Sequence, residues 1–517
     1  MIFLLLIFAA TVVAVYFYKT KTFNYWAKKG VKHEKPVIFF GNNVKNFLMM
    51  ESRAQAMERM YWKYPKEKVV GFYRSSVPEL VLRDPALIKS VLVSDFGHFH
   101  MRGFHPYPKN IEPVIRHLFV VEGDYWRMLR QKMTPAFTSG KLKAMFPLIV
   151  EKAEKLQVRT SDLAKPGEPL DARDLMARYT TDFIGSIGFG LDADSMNTED
   201  SEFRKIGNDT FNPGLKEVLY TVLQEFFPFL AQNLKVFGRL EKPIFNIVKQ
   251  VKESKGNKPT NRGDFIDQLL EYQQKGPIEI ESLEKFKPDG TPEKVVMELD
   301  DTLFAAQVFL FFAAGFETSS STTSTTLHHL AFNPEEQKKV QKEIDEVLAR
   351  HNNKLSYDAV KEMKYLECAF NEGIRLFPAL GYLMRACAKK YTFEDIGLTI
   401  DPGVKVMVPV KALHMDPAYW EQPWEFRPER FLPENFTAKQ KSVFFPFGEG
   451  PRNCIGGRLG LMQSLAGIAA VMARFSVEPA PNSIKYPDVD PVSDIVQCPK
   501  GLELPLIFKE RKSNLVH

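Results

Sequence analysis

Phe444-Phe445-Pro446-Phe447-Gly448-Glu449-Gly450-Pro451-Arg452-Asn453-Cys454-Ile455-Gly456-Gly457-Arg458 places one cysteine in a glycine-rich loop. Glycines at 448, 450, 456 and 457 let the backbone turn tightly and come close to a large flat ligand. The apolar run from Leu459 to Met472 predicts a helix directly after the loop, so the sulfur stands at a helix N-terminus. There the dipole and the free N–H groups favour thiolate over thiol. Arg452, two residues earlier, adds a fixed positive charge. A lone cysteine is usually a small buried hydrophobe; this setting argues instead for a metal thiolate.

The rest of the chain narrows the classes of function. Its 517 residues can bury a large core, and 42 phenylalanines with 44% hydrophobic residues predict a Phe-rich globular interior. The four cysteines, Cys368, Cys387, Cys454 and Cys498, are too few and scattered for a disulfide framework, which points to a reducing compartment. A net charge of +6 is mild for this length. It suits a membrane surface or an acidic protein partner and gives no sign of nucleic acid. No zinc spacing, phosphate loop or dinucleotide motif stands out, so the chain is not expected to carry its own nicotinamide or flavin.

Residues 1–18 are uncharged and apolar. As a helix they reach about 27 Å against roughly 30 Å of bilayer hydrocarbon, which predicts a membrane anchor. A basic start and a small-residue cleavage site are both missing, which favours a retained anchor over a cleaved signal. The basic linker 19–36 carries Lys19, Lys21, Lys28, Lys29, Lys32 and Lys35, so the body should lie on the cytosolic side, with Phe23, Tyr25 and Trp26 at the bilayer surface. The body is taken as 37–510 and the C-terminal tail as 511–517.

Within the body, Val69–Tyr73 and Glu79–Leu82 read as a hairpin, and Asp84-Pro85 opens a helix. His98 and His100 lack a third ligand for a metal. Residues 101–120, with Pro106, Pro108 and Pro113, read as a long loop of the kind that carries function. Residues 140–250 are helical in pattern, and Phe211, Phe226, Phe227 and Phe229 are read as core. Segments 252–264 and 285–294 read as surface loops. Leu303–Phe316 is apolar except for Gln307 and reads as a central buried helix that runs into Ala314-Gly315-Phe316-Glu317-Thr318-Ser319. Residues 391–408 read as a small antiparallel sheet turning at Asp401-Pro402-Gly403; Phe475–Glu478 and Leu502–Phe508 are the last strands.

The order Phe447-x-x-Gly450-x-Arg452-x-Cys454-x-Gly456 resembles the haem-binding signature of the cytochrome P450 family, in which the cysteine is the axial iron ligand. The resemblance implies a mainly α fold with smaller β-sheets (α+β), one large domain after the anchor. It implies haem b held by Cys454 as metal ligand, with Phe447, Gly448, Arg452 and Gly456 around it. Trp126 and Arg130, four apart and so on one helix face, would bond a haem propionate, and Arg385 would be a further propionate partner. The Ala-Gly-x-Glu-Thr-Ser order resembles the family's oxygen-binding helix, with Ala314 and Gly315 against the ring and Glu317 and Thr318 relaying protons. By the bland reading, Thr318 simply bonds the carbonyl one turn back. Glu372 and Arg375, with Arg430 of Pro428-Glu429-Arg430-Phe431, match a structural triad that holds the haem loop. Phe119, Ala313, Leu380 and Ile495 match positions facing the substrate pocket.

The family often has a proline-rich hinge after the anchor, where this chain offers only Pro36. Its overall flavour is that of insect microsomal enzymes that oxidise plant toxins and insecticides. The implied reaction is NADPH- and O₂-dependent monooxygenation of small lipophilic compounds, endogenous lipids included, at the endoplasmic reticulum membrane. Electrons would come from NADPH-cytochrome P450 reductase, with cytochrome b5 as a further partner. Arg127, Lys132, Lys141, Lys143 and Arg458 would dock the reductase or form a solvated basic face. Two other classes share Cys454: a haem-thiolate isomerase or dehydratase acting on oxygenated lipids, and a non-catalytic haem or ligand-binding protein. Neither gives a reason for the acid–alcohol pair.

Overall fold

The apolar stretch around Gln307 belongs to a helix of 32 residues, Asp301–Phe332, started by Asp300, whose carboxylate accepts from the Leu303 N–H at 2.6 Å. It is far longer than the apolar run because the Ser/Thr segment continues it. Those hydroxyls donate to carbonyls one turn back, as in Thr322 to Thr318 at 2.7 Å and Thr326 to Thr322 at 2.8 Å. Polar side chains thereby pass through the core with their donors satisfied. The computed structural model describes residues 2–105, 110–190, 194–198, 201–260 and 264–511. Pro106, Pro108 and tail residues 512–517 lie outside the described residues, as does 261–263 of one expected surface loop.

Other helices pack around this central one. Ala172–Ile184 runs against it, and Gly457–Arg474 and Lys364–Leu376 flank it. Gly315 belongs to this packing: a Cβ there would stand 2.2 Å from Ile184 Cδ1. Glycine at this position is thus required by the contact with the neighbouring helix. Gln307, fully buried, accepts from the Leu118 N–H at 2.9 Å and donates to Arg116 O at 3.1 Å, pinning the irregular 101–120 segment to the central helix.

A four-stranded sheet has the order Val69–Arg74, Val77–Leu82, Lys405–Val408, Leu383–Ala386, with Leu80 opposite both Gly71 and Val406. Residues 391–408 thus do not form one sheet. Tyr391–Phe393 and Leu398–Ile400 pair with each other, and the turn at Gly403 (φ 87°) sends Lys405–Val408 into the larger sheet. Phe475–Pro479, Pro505–Glu510 and Leu170–Asp171 form a third sheet. The expected loop 285–294 is the tip of a hairpin, Ile278–Phe286 paired with Pro292–Met297. Its missed signal is period two: Ile278, Ile280 and Ser282 are buried while Glu279 and Glu281 are exposed.

At the N-terminus, Ile2–Thr20 is a helix long and apolar enough to cross a membrane, with its side chains almost wholly exposed. The segment after it folds back on the body. Trp26 is fully buried over Gly71 and donates its indole N–H to Phe72 O at 3.1 Å; Tyr25 donates to Asp401 at 2.8 Å; Phe23 packs on Tyr73. The expected bilayer placement of these three rings is corrected accordingly. The core assignment of the phenylalanines also changes. Phe211 stacks on Phe316 and Phe226 on Phe47, but Phe229 is 70% exposed and Phe227 42%, because among the described residues no layer covers Leu215–Phe226 and Pro228–Ala231 from outside.

Candidate functional site

The cysteine loop is closed by its own backbone. Gly448 and Gly450 take φ of 74° and 72°, and a Cβ at Gly450 would meet Leu92 O at 1.9 Å, so glycine is required there for handedness and space together. The Cys454 N–H donates to Phe447 O at 2.8 Å, and the helix Gly457–Arg474 starts three residues after the cysteine, with Gly456 at its N-cap. Cys454 is accessible by surface area, yet protein lies around it densely enough that burial raises its thiol. An interior space, not the outer surface, exposes it. The Gly456 N–H and the charges of Arg130 and Arg102 oppose that rise.

Arg452 does not supply the charge beside the sulfur, which corrects the expectation. It donates from Nε to His100 O at 2.8 Å, pairs with Glu122 at 2.5 Å and lies on the Trp126 ring at 4.5 Å. Arg130, expected with Trp126 to bond a propionate, donates instead to the Asn453 carbonyl at 2.7 Å and to its side chain at 2.6 Å, clamping the residue next to Cys454.

Arg452 pairs with Glu122, which also accepts from the Arg102 backbone N–H at 2.9 Å, and the guanidiniums of Arg102 and Arg385 lie close enough to feel the same carboxylate. Arg102 donates to Arg452 O at 2.9 Å and to Phe119 O at 2.9 Å. Burial and the neighbouring Arg452 hold Arg102 well below the arginine range and bring Arg385 down to about 9; burial brings Arg452 to about 10 despite Glu122. Arg385 Nε is buried without a partner. Three guanidiniums against one carboxylate leave two positive charges unmatched, the complement of a porphyrin's two propionates. With an accessible sulfur beside it, this cluster fits haem b. Sequence reasoning missed Arg102 and Glu122, which sit in an irregular loop and at a helix start with no periodic pattern around them.

Opposite signs of exposure mark the central helix. Between Phe311 and Ser320, Ala314 is exposed, Ala313, Gly315 and Thr318 are half-buried and the rest are buried, so this face of the helix also borders an interior space. Phe119, Leu380 and Ile495 are half-buried as well. Arg102 lies on the Phe119 ring at 4.2 Å, linking the arginine cluster to these apolar residues. Thr318 donates to Ala314 O at 2.6 Å, as the bland reading anticipated. Glu317 turns off this face: it is 2% exposed and pairs with Arg173 at 2.6 Å. The acid and the alcohol are therefore not joined in one hydrogen-bonded relay here.

The residues matching the triad come together under the cysteine loop. Arg375 reaches both oxygens of Glu372, at 2.7 and 2.9 Å, and Arg430 donates to the same carboxylate at 3.2 Å, all three buried. Arg375 also donates to His414 O at 2.8 Å, and His414 Nε2 accepts from the Phe445 N–H at 3.2 Å. Burial and Arg375 hold His414 down to about 3, which keeps the ring neutral and able to accept. His414 is the connection between triad and loop that sequence reasoning lacked.

Of the basic residues suggested for docking, Arg127 pairs with Glu281 of the hairpin at 3.0 Å and Lys143 with Asp358 at 2.9 Å. Arg458 donates to Ser139 at 3.1 Å, and Lys132 lies over Tyr272.

The family profile described as "Cytochrome P450" matches residues 32–506. Among similar proteins, cytochrome P450 6B2 of Helicoverpa armigera is 34% identical over 502 residues, 97% of each chain. Cytochrome P450 6d1 of Musca domestica is 34% identical over 92% of this chain and 94% of its own. Cytochrome P450 6a2 of Drosophila melanogaster is 36% identical over 91% and 92%. With a cysteine loop, an arginine cluster and a helix face suited to haem, and with likeness of that extent, this chain belongs to the cytochrome P450 family and is a cytochrome P450 monooxygenase.

Proposed function

We propose that this monooxygenase oxidises small lipophilic compounds, such as plant toxins, insecticides or endogenous lipids, using electrons that NADPH-cytochrome P450 reductase takes from NADPH. The observation that carries this reading is the pairing of an inwardly accessible Cys454 with an uncovered face of small residues on the central helix, bordered by half-buried apolar side chains. Thiolate-ligated haem, when bound, supplies the electron density at iron that favours O–O cleavage. Cys454 would give up its proton to become the ligand, helped by the Gly456 N–H and by Arg130 and Arg102. Arg102 and Arg385 would hold the propionates, with Arg452 paired to Glu122 beside them. Thr318, its proton engaged by Ala314 O, keeps lone pairs free to accept a hydrogen bond and so would hold a proton donor in place on this face of the helix. Phe119, Ala313, Leu380 and Ile495 would exclude water around a lipophile.

The reading places the body at the endoplasmic reticulum membrane with Ile2–Thr20 as anchor. Lys19, near the end of that helix, donates to the Phe226 carbonyl, and the exposed Phe229 and Leu230 lie a few residues further along the chain. Such a location would give access to lipophiles dissolved in the bilayer.

The test incubates the purified protein with reductase, NADPH and a mixed lipophile library and follows products by mass spectrometry. Products that gain one oxygen atom are expected, and Cys454→Ser should abolish both them and the red-shifted absorption of the reduced carbonyl complex. Unchanged absorption in that variant refutes the ligand assignment.

A further inference from the structure

Glu317 is held away from the site by two side chains that no part of the reaction has yet used. Arg173, at the start of the helix Ala172–Ile184, donates to Glu317 Oε1 at 2.6 Å, and the Cys498 thiol donates to the same oxygen at 3.4 Å. Arg173 also reaches Cys498 Sγ at 3.7 Å, so the three form one closed cluster. Cys498 is 8% exposed. Burial and the adjacent Glu317 push its thiol up to about 12, which keeps it a donor at any ordinary pH.

Cys498 is also the base of the turn that carries Ile495. Its N–H donates to Ser493 Oγ at 3.1 Å and its carbonyl accepts from the Asp490 N–H at 2.8 Å. Between them, Val496 bridges to Leu380, the Gln497 N–H donates to Ala379 O at 2.8 Å, and Ser321 of the central helix donates to Gln497 O at 3.3 Å. Two residues that border the apolar space, Leu380 and Ile495, are thus tied through three peptide units to the thiol that holds the acid.

We propose that Cys498 is a positioning residue through which the turn bearing Ile495 reports to Glu317: a lipophile seated against Ile495 moves the turn, loosens the thiol–carboxylate bond and leaves Arg173 as the acid's sole hold. This rests on the monooxygenase reading together with the expectation, carried by the resemblance, that Glu317 takes part in the proton relay, and it deepens that expectation. The thiol is the link that gives way, because an S–H···O bond is weaker than a charged guanidinium–carboxylate bond at 2.6 Å. Arg173 keeps the carboxylate in its held orientation while it waits; occupancy by substrate then shifts the balance between its held and free orientations.

The S–H stretching band in the infrared reads this contact directly in the haem-loaded protein. The Cys498 band is identified as the one missing from Cys498→Ala. It is expected to move to higher frequency in Glu317→Gln, whose amide is the weaker acceptor, and to move the same way when an alkoxycoumarin binds to the wild type, but not when it binds to Ile495→Ala. Turnover of that coumarin is the second arm. Cys498→Ala removes the hold in advance, so it should lower the peroxide released per NADPH about fivefold, the factor carried by one hydrogen bond of ordinary strength, and Cys498→Ser should bring it back to the wild-type value. A band indifferent to Glu317→Gln overturns the contact, and one indifferent to the coumarin overturns the coupling. Equal behaviour of the alanine and serine variants overturns the donor role. Failure of the wild type to oxygenate anything would instead count against the proposed function, with the infrared arm still deciding the contact.

Discussion

The two sides of the interior space are built in different ways. The sulfur side comes from consecutive residues 444–458, locked by the Cys454-to-Phe447 backbone bond, and it rests on a buried ion cluster of Glu372, Arg375 and Arg430. The helix side draws on Phe119, Ala313, Thr318, Leu380 and Ile495, residues from four separate stretches, none of them fully buried. One side is a fixed mount held by charge and backbone geometry. The other is a lining that only the whole fold assembles, and its parts can shift by small amounts. Stability and chemistry should therefore separate when each side is changed.

The largest effect is expected below the sulfur. Glu372→Ala leaves two buried guanidiniums without their anion, and such a loss costs about 3–5 kcal/mol. Urea unfolding should register it, and little haem-loaded protein should be recovered. A cost below about 1 kcal/mol would mean that the loop does not depend on its support.

On the helix side the reverse is expected. Thr318→Ala should leave the carbonyl absorption and the unfolding midpoint nearly unchanged while product formation slows on the order of a hundredfold and NADPH is spent on peroxide. Fully coupled turnover in that variant would remove the hydroxyl from proton transfer.

The smallest change sharpens the link between triad and loop. His414 takes up its proton near pH 6.5 when unfolded but only at about 3 when folded. Its contribution is therefore full above pH 6.5 and is lost as pH falls below that, by about 1.4 kcal/mol per pH unit down to the folded value. His414→Gln, whose amide oxygen can still accept from Phe445, should make stability between pH 6 and 4 shallower by about one proton. Chemical denaturation across that range would measure it, and an unchanged slope would mean that the ring is not buried neutral.

What could be read in the chain follows the same division. Local patterns announced the cysteine loop, the central helix and the first hairpin, because glycine spacing and apolar periodicity act over short distances. Arg102, Glu122 and His414 were silent, since their meaning lies in partners more than thirty residues away, such as Arg452 or Phe445. Arg130 and Arg452 show the converse: their place beside the loop was legible, but the bonds they make were not, because carbonyls and carboxylates supplied by the fold took their donors. Side-chain direction on a helix is similarly a tertiary matter, as Glu317 and Gly315 illustrate by facing the neighbouring helix. The hairpin 278–297 was overlooked because lysines and a Pro-Asp-Gly turn mask a short alternation of isoleucine and glutamate.

Trp26 anchors more than a strand edge. Because it is sealed against Gly71, and because Lys19, Thr22 and Phe23 before it also touch the body, the apolar helix ending at Thr20 is tied to the globule with almost no slack. With that helix seated in a bilayer, the globule could neither drift far into the aqueous phase nor tumble freely. It would ride near the headgroups in a narrow range of poses, and a redox partner diffusing in the same plane would find it at a nearly constant height.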